Sequence, residues 1–377
     1  MNMDLCIERD LWERLAATDK KIVMYGMGNG ADKILRACDE KGVTVCDFFA
    51  SDGFVRGHLF HGKRVRTWGE IKETYGAENV TVLLSFGTSR PDVLETVDRI
   101  AAEAELYAPD VPAFGDGLFD RAFFEAHRAE LEETEALLAD EESKRILANV
   151  VQYKLTGDIR FLKDAVSDPQ TVMETLVCPG EIEAAADLGA YNGDTVRELL
   201  AHADGRVRTV YAMEPDARNF RKVQAYAEEE RRAEVIPVNA GAWSEPTTLC
   251  FDASGNRNAS FESNRSATLA DRPVKLKTIQ ADTLDRVLGG RRVDYIKYDV
   301  EGSEREALLG SRETLRAYRP TLLVSLYHRN EDLFALPRMI RREFPQYKRL
   351  YLRRFAGIPA WDLNLYCKYK KKYFNIF

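Results

Sequence analysis

Asp187 and Asp194 bracket two glycines, Gly189 and Gly193, in the run Ala-Asp-Leu-Gly-Ala-Tyr-Asn-Gly-Asp-Thr from Ala186 to Thr195. The small apolar residues from Ala184 to Leu188 have the length of a buried parallel strand. The glycines permit backbone geometry closed to other residues, and Asp194 with Thr195 suits the start of a helix. Such a turn admits a ligand close to the backbone. A phosphate held at a helix N-terminus wants no negative charge facing it, yet two acids flank this turn. The pattern therefore points to a ligand with a cationic end. S-adenosylmethionine (SAM), which carries an ammonium and a sulfonium, suits it better than a dinucleotide pyrophosphate.

The next strands extend the same site. Thr209 to Asp216 places Glu214, followed by Pro215 and Asp216, at a strand end about 25 residues past the glycine turn, where an acid can hold two ribose hydroxyls. Glu234 to Ala240 ends in Asn239 and Ala240, a small polar loop suited to an adenine edge. A fourth strand runs into Asp299, Val300 and Glu301, and a fifth, Thr321 to His328, ends in a histidine. Ligands of doubly wound sheets lie beyond the carboxyl ends of the strands, so Asp187, Asp299, Glu301 and His328 converge on one crevice. A methyl transfer from such a donor would need in-line alignment, exclusion of water and, for a hydroxyl acceptor, a group that takes the proton. Asp299 is the first choice to lie near the methyl group, with Glu301 and His328 beside it. No metal is predicted; a divalent ion held by Asp299 and Glu301 is an open alternative.

These residues resemble the FkbM-type SAM-dependent methyltransferase family, whose DxGAxxGD turn, later EP and final IKxDxEGxE are met in order. Asp187-Leu-Gly-Ala-Tyr-Asn-Gly-Asp194 supplies the first, Glu214-Pro215 the second and Ile296-Lys-Tyr-Asp-Val-Glu-Gly-Ser-Glu304 the third. The resemblance covers roughly residues 180 to 330. It implies a class I methyltransferase sheet that ends in an antiparallel hairpin, with O-methyl transfer to a hydroxyl of a sugar, glycan or glycosylated metabolite. Asp187, Gly189, Ala190, Tyr191, Gly193, Asp194, Thr195, Glu214, Pro215, Asp216, Asn239 and Ala240 would bind SAM, and Asp299, Glu301 and His328 would do the chemistry. Asp285 stands where the family has an acid, and its simple role is to cap a short helix.

The elements that position these groups occupy an α/β chain. Lys21 to Ala31 repeats the strand-to-glycine-turn pattern, with Gly26, Gly28 and Ala31 meeting G-x-G-x-x-G/A and Asp47 about 20 residues on. Residues 1–117 are read as a smaller Rossmann-like accessory domain, 118–180 as a helical connector and 181–377 as the methyltransferase domain. Arg64 and Arg66 are candidate phosphate contacts of the first domain, where a nucleotide sugar is an open ligand. Gln152 and Tyr153 are candidates to cover the cofactor pocket. Between Trp243 and Asp282 two antiparallel edge strands are expected, joined by a loop rich in Asn, Ser and Arg from Asn256 to Arg265. Pro359, Ala360 and Trp361 are expected to connect the final hairpin.

Composition narrows the class. A net charge of -7 with 31% charged residues gives no reason to expect nucleic-acid binding. Six scattered cysteines, without a C-x-x-C pair, suggest neither a zinc knuckle nor a disulfide scaffold. No apolar run approaches the roughly 18 residues that span a bilayer, and the chain reads as cytoplasmic. Homo-oligomerisation stays open. Two rival classes are an NAD-dependent sugar-modifying oxidoreductase, which lacks an evident Tyr-x-x-x-Lys set, and a non-catalytic protein that binds a nucleotide sugar or SAM.

Overall fold

In the computed structural model, which describes residues 8–55, 57, 59–252 and 276–369, the chain forms two units. The first comprises Met1–Glu135, Glu141–Ser167 and Arg354–Leu363, and the second Ala136–Asp140, Asp168–Arg353 and Asn364–Phe377. Of the segment read as a connector, 118–135 and 141–167 fall in the first unit and 136–140 and 168–180 in the second.

Four parallel strands make the sheet of the first unit. β1 (Lys21–Tyr25), β2 (Asp47–Phe49), β3 (Val80–Leu84) and β4 (Glu105–Tyr107) lie in the order β2-β1-β3-β4. β3 is buried along its whole length, as expected of an apolar run covered on both faces. Helix α1 (Asn29–Glu40) follows the glycine turn. A Cβ on Gly30 would sit 2.3 Å from the Ser85 carbonyl oxygen, so only glycine lets α1 start this close to the end of β3. Leu11–Ala17 is helical, opened by a capping box in which Asp10 and Glu13 each accept the other's backbone N–H.

The final hairpin loop belongs to this first unit. Thr88 and Ile358 exchange backbone hydrogen bonds at 2.7 and 2.9 Å, and the Trp361 ring occupies the space that a side chain on Gly87 would need. Tyr153, in the helix Glu141–Thr156, is wholly buried in this unit's core.

The second unit is built on seven strands: β5 (Ala184–Leu188), β6 (Thr209–Met213), β7 (Glu234–Val238), β8 (Tyr295–Tyr298), β9 (Thr321–Ser325), β10 (Arg349–Arg354) and β11 (Leu363–Lys368). Their order is β10-β11-β9-β8-β5-β6-β7. β5 to β9 are mutually parallel, and β11 runs antiparallel to β9. The chain walks outward from β5 to β7, then returns to lay β8 on the other side of β5. That reversal is the switch point at which a doubly wound sheet opens a crevice.

The insertion after β7 differs from expectation in one respect. Thr247–Asp252 and Leu276–Asp282 do pair antiparallel, but they join Gly241–Ala242 in a separate three-stranded sheet and do not extend the edge of the main one. The expected loop from Asn256 to Arg265 lies outside the described residues. Asp285 also caps a different helix from the one expected. Thr283 caps its own helix, Leu284–Leu288, while the Asp285 carboxylate accepts Glu313 and Thr314 N–H at 2.9 Å, at the start of Arg312–Tyr318.

Candidate active site

The turn after β5 is set by close backbone approach. Gly189 has φ +87°, and a Cβ there would lie 1.9 Å from the Asp299 carbonyl oxygen at the end of β8. Gly189 and Ala190 both donate to the Met213 carbonyl at 3.0 Å, which ties the turn to the end of β6. Tyr191 takes φ +48° and leaves its ring 41% exposed. Gly193, with φ +79°, leads into α2 (Asp194–His202). Asp194 holds that helix start with its own side chain, which accepts Thr195 N–H, while its N–H goes to the Asn192 amide oxygen. The Thr195 hydroxyl donates to Asp187.

Glu214 is buried at the end of β6 with each oxygen fixed. Tyr191 N–H donates to Oε2 and Asp216 N–H to Oε1, both at 2.8 Å. Each oxygen keeps a lone pair for a further donor, as two ribose hydroxyls require. Burial pushes the Glu214 carboxyl up to about 7 against these two bonds. Asn239 donates to the Glu214 and Pro215 carbonyls at 2.8 and 3.3 Å, with buried Ala240 beside it. Asp216 spends its carboxylate on capping the following helix, α3 (Ala217–Glu229). Thus the residues read as cofactor-binding gather along the ends of β5, β6 and β7.

Across the switch point, Lys297 on β8 pairs in register with Asp187 on β5. Its amine lies 3.2 Å from Asp187 and 3.4 Å from Asp299, which shares its face of the strand two residues on. Burial opposes the charge on Lys297, but the two acids outweigh it and raise its pKa. Asp187 is raised by burial, against Lys297 and Thr195. Asp299 goes the other way. Burial works to raise it, yet Lys297, His328 and the Tyr327 hydroxyl at 2.8 Å together hold it down to about 2.

Glu301 sits in the turn that follows, at φ +56°. Its side chain keeps 43% of its surface exposed, while its enclosure by the strand ends, with Asp299, Glu304 and Glu214 nearby, pushes its carboxyl up to about 7. His328 is only 1% exposed and lies among carboxylates: Nε2 is 3.6 Å from Asp299 and 3.5 Å from Glu301, and Nδ1 is 3.0 Å from Glu304. Burial favours neutral imidazole, but Glu304, Asp299 and Glu301 raise it to about 9. The three residues read as catalytic therefore meet in one place with three different charge states near neutrality.

Glu304, Tyr327, Arg329 and Asp332 complete this cluster and were not assigned roles from sequence. Glu304 was visible only as the last letter of the IKxDxEGxE pattern. Tyr327 and Arg329 carry no local signal, because their side chains reach Asp299 and the Gly302 carbonyl, while Asp332 accepts the Arg329 N–H three residues before it. Asp299, Glu304 and His328 offer ligand atoms within 4.8 Å of one another. Within this set Glu304 and His328 face each other at 3.0 Å.

In the first unit the acids and arginines pair with one another. Asp47 is buried, with Arg66 at 3.0 Å and the Tyr75 hydroxyl at 3.3 Å, and Arg64 pairs with Glu70. Of the described residues, no helix is long and apolar enough to cross a membrane.

Residues 187–352 match the family model described as the methyltransferase FkbM domain. Among solved structures, the chain is similar to methyltransferase FkbM from Methylobacillus flagellatus KT, with 20% identity, a TM-score of 0.69, and coverage of 92% of this chain and 90% of that one. Aeropyrum pernix fibrillarin, solved with natively bound SAM, aligns over 49% of this chain and 66% of its own at 14% identity and a TM-score of 0.30. A Geobacter sulfurreducens methyltransferase aligns over 65% and 96% at 12% identity and 0.31. Among curated proteins, none matches. With this match lying on a sheet of this order, residues 187–352 carry the pattern of a methyltransferase FkbM domain on a doubly wound sheet.

Proposed function

We propose that the protein transfers a methyl group to a hydroxyl of a sugar, glycan or glycosylated metabolite, with Glu301 as the group that takes the hydroxyl proton. One observation carries this reading: of the acids at the strand ends, Glu301 combines a side chain 43% exposed with a carboxyl that its partial burial pushes up to about 7. A general base works best when its pKa lies near the working pH, because it is then both ionised and basic enough to accept a proton. Asp299, held near 2 and already engaged by Lys297 and Tyr327, is a poor base and a good fixed negative charge.

When bound, SAM supplies an electrophilic methyl group on a sulfonium sulfur. The chain's own residues fit that cosubstrate. Glu214 keeps lone pairs for ribose hydroxyls, Asn239 and Ala240 form the adenine end, and Asp187 with Thr195 and the backbone of Gly189 to Gly193 form the wall of the crevice. The acids outnumber the cations here, which favours a positively charged ligand. Glu301 accepts the acceptor's proton as its oxygen attacks, and Asp299 and His328 hold fixed charges on either side of that carboxylate. The sugar-type acceptor rests on the family resemblance of residues 180 to 330.

The test is calorimetry with SAM, NAD and a nucleotide sugar, followed by a labelled-methyl transfer screen over glycans and hydroxylated metabolites. SAM binding that is lost in Asp187→Ala and Glu214→Ala, with label appearing on a hydroxyl, supports the proposal. NAD binding without SAM binding overturns it, and so does label appearing only on nitrogen or sulfur.

A further inference from the structure

We propose that Glu304 is the positioning residue for Glu301: it holds the Glu301 turn through the backbone and holds His328 as that carboxylate's fixed counter-charge. This rests on the reading of Glu301 as the base.

Glu304 opens the short helix α4 (Glu304–Leu309), and its side chain folds back over the turn that precedes it. Its Oε1 accepts Val300 N–H at 2.8 Å and Gly302 N–H at 3.5 Å, so it grips the backbone on both sides of Glu301. Glu301 has φ +56°, a conformation unfavourable for a non-glycine residue that persists only where the surroundings over-determine it. Those surroundings are visible. Besides the Glu304 carboxylate, the Ser303 hydroxyl donates to the Val300 carbonyl at 2.7 Å, and Arg329 Nε donates to the Gly302 carbonyl at 3.0 Å.

The same oxygen of Glu304 faces His328 Nδ1 at 3.0 Å, and the far nitrogen of that ring faces Glu301 and Asp299. A buried carboxylate at one ring nitrogen stabilises the imidazolium and fixes the ring's orientation. The groups facing His328 are Glu304 from α4, Asp299 and Glu301 from the end of β8, and Asp332 from the start of α5 (Asp332–Glu343). Glu304 is 1% exposed, so no acceptor touches it. It acts through the turn and through the ring.

The experiment needs no acceptor. Protein labelled with 13C at the glutamate carboxyl is titrated by NMR, with the Glu301 resonance assigned by its disappearance in E301Q, in the wild type, E304Q and His328→Asn. Wild-type Glu301 is expected to titrate near 7. In E304Q the imidazole loses its charge near neutrality, and since its pull on Glu301 exceeds the direct push of Glu304, the midpoint rises by about one pH unit, or roughly tenfold in proton affinity. His328→Asn is expected to shift it the same way and stands in if E304Q does not fold. SAM affinity by calorimetry, unchanged within about threefold, reports an intact fold. A wild-type midpoint near 4.5 defeats the base reading itself. A midpoint near 7 that stays put in both variants leaves that reading standing and overturns the role of Glu304.

Discussion

Lys297 on β8 stands directly across from Asp187 on β5, its amine 3.2 Å from that carboxylate and 3.4 Å from Asp299. One buried cation thus serves two acids at the point where the sheet reverses direction. Removing it leaves two negative charges with little water to solvate them. Breaking a buried pair by deleting one partner typically costs about 3–5 kcal/mol. Lys297→Met is expected to lose stability on that scale in urea unfolding; a loss below about 1 kcal/mol would show that the acids relax into solvent.

Gly189→Ala tests the approach of β5 to β8. The φ of +87° alone carries a penalty on the order of 1–3 kcal/mol, and the new methyl meets the Asp299 carbonyl oxygen, which is backbone and cannot swing aside. Expected are a lower thermal midpoint and a SAM affinity reduced more than that of an Ala substitution at Gly205, where a Cβ meets nothing. Equal effects at the two positions would contradict the tight approach.

Glu214 links cofactor affinity to pH. Its carboxyl, pushed up to about 7 by burial, is half neutral at that pH, and the ionised form is the stronger acceptor for hydroxyl donors. SAM affinity is expected to rise from pH 6 to pH 8. Glu214→Gln should abolish that rise and weaken binding roughly 10- to 100-fold, the worth of hydrogen bonds to a charged group. Calorimetry at the two pH values measures both.

For the base, Glu301→Gln should lower kcat by about 100-fold or more, within the usual contribution of general base catalysis, with SAM affinity little changed. In the wild type the rate should fall as pH drops through about 7, since the protonated carboxyl cannot accept. Retained transfer in Glu301→Gln would remove it from the mechanism.

Folding stability should fall above neutrality. His328 has a folded pKa of about 9 against an ordinary value of 6.5, so its contribution is complete below 6.5 and is lost as pH rises through 9. Glu214 and Glu301 are raised to about 7, which makes them costly once pH exceeds their ordinary range, and that cost is fully developed near 7. His328 therefore contributes a falling slope between pH 7.5 and 9. Denaturant midpoints across that window should decline in the wild type and flatten in His328→Asn.

The residues alone were enough for the strand, glycine turn and helix at 184 to 195 and for an acid at the end of β6. Those features are local: a short apolar run, positive φ at glycine and helix-start chemistry lie within a few residues of one another. What only the tertiary structure decided is how the charges are shared. Asp299, first choice from sequence for the reacting end, is held ionised by Lys297 and Tyr327, while the Glu301 carboxyl, two residues on, is pushed up to about 7. Glu304 meets His328 across 24 positions of chain, and Asp285 caps a helix that begins well beyond its own. A carboxylate's chemistry depends on its burial and on the nearest opposite charge, and both are supplied by strands that are neighbours in the sheet and distant in the chain.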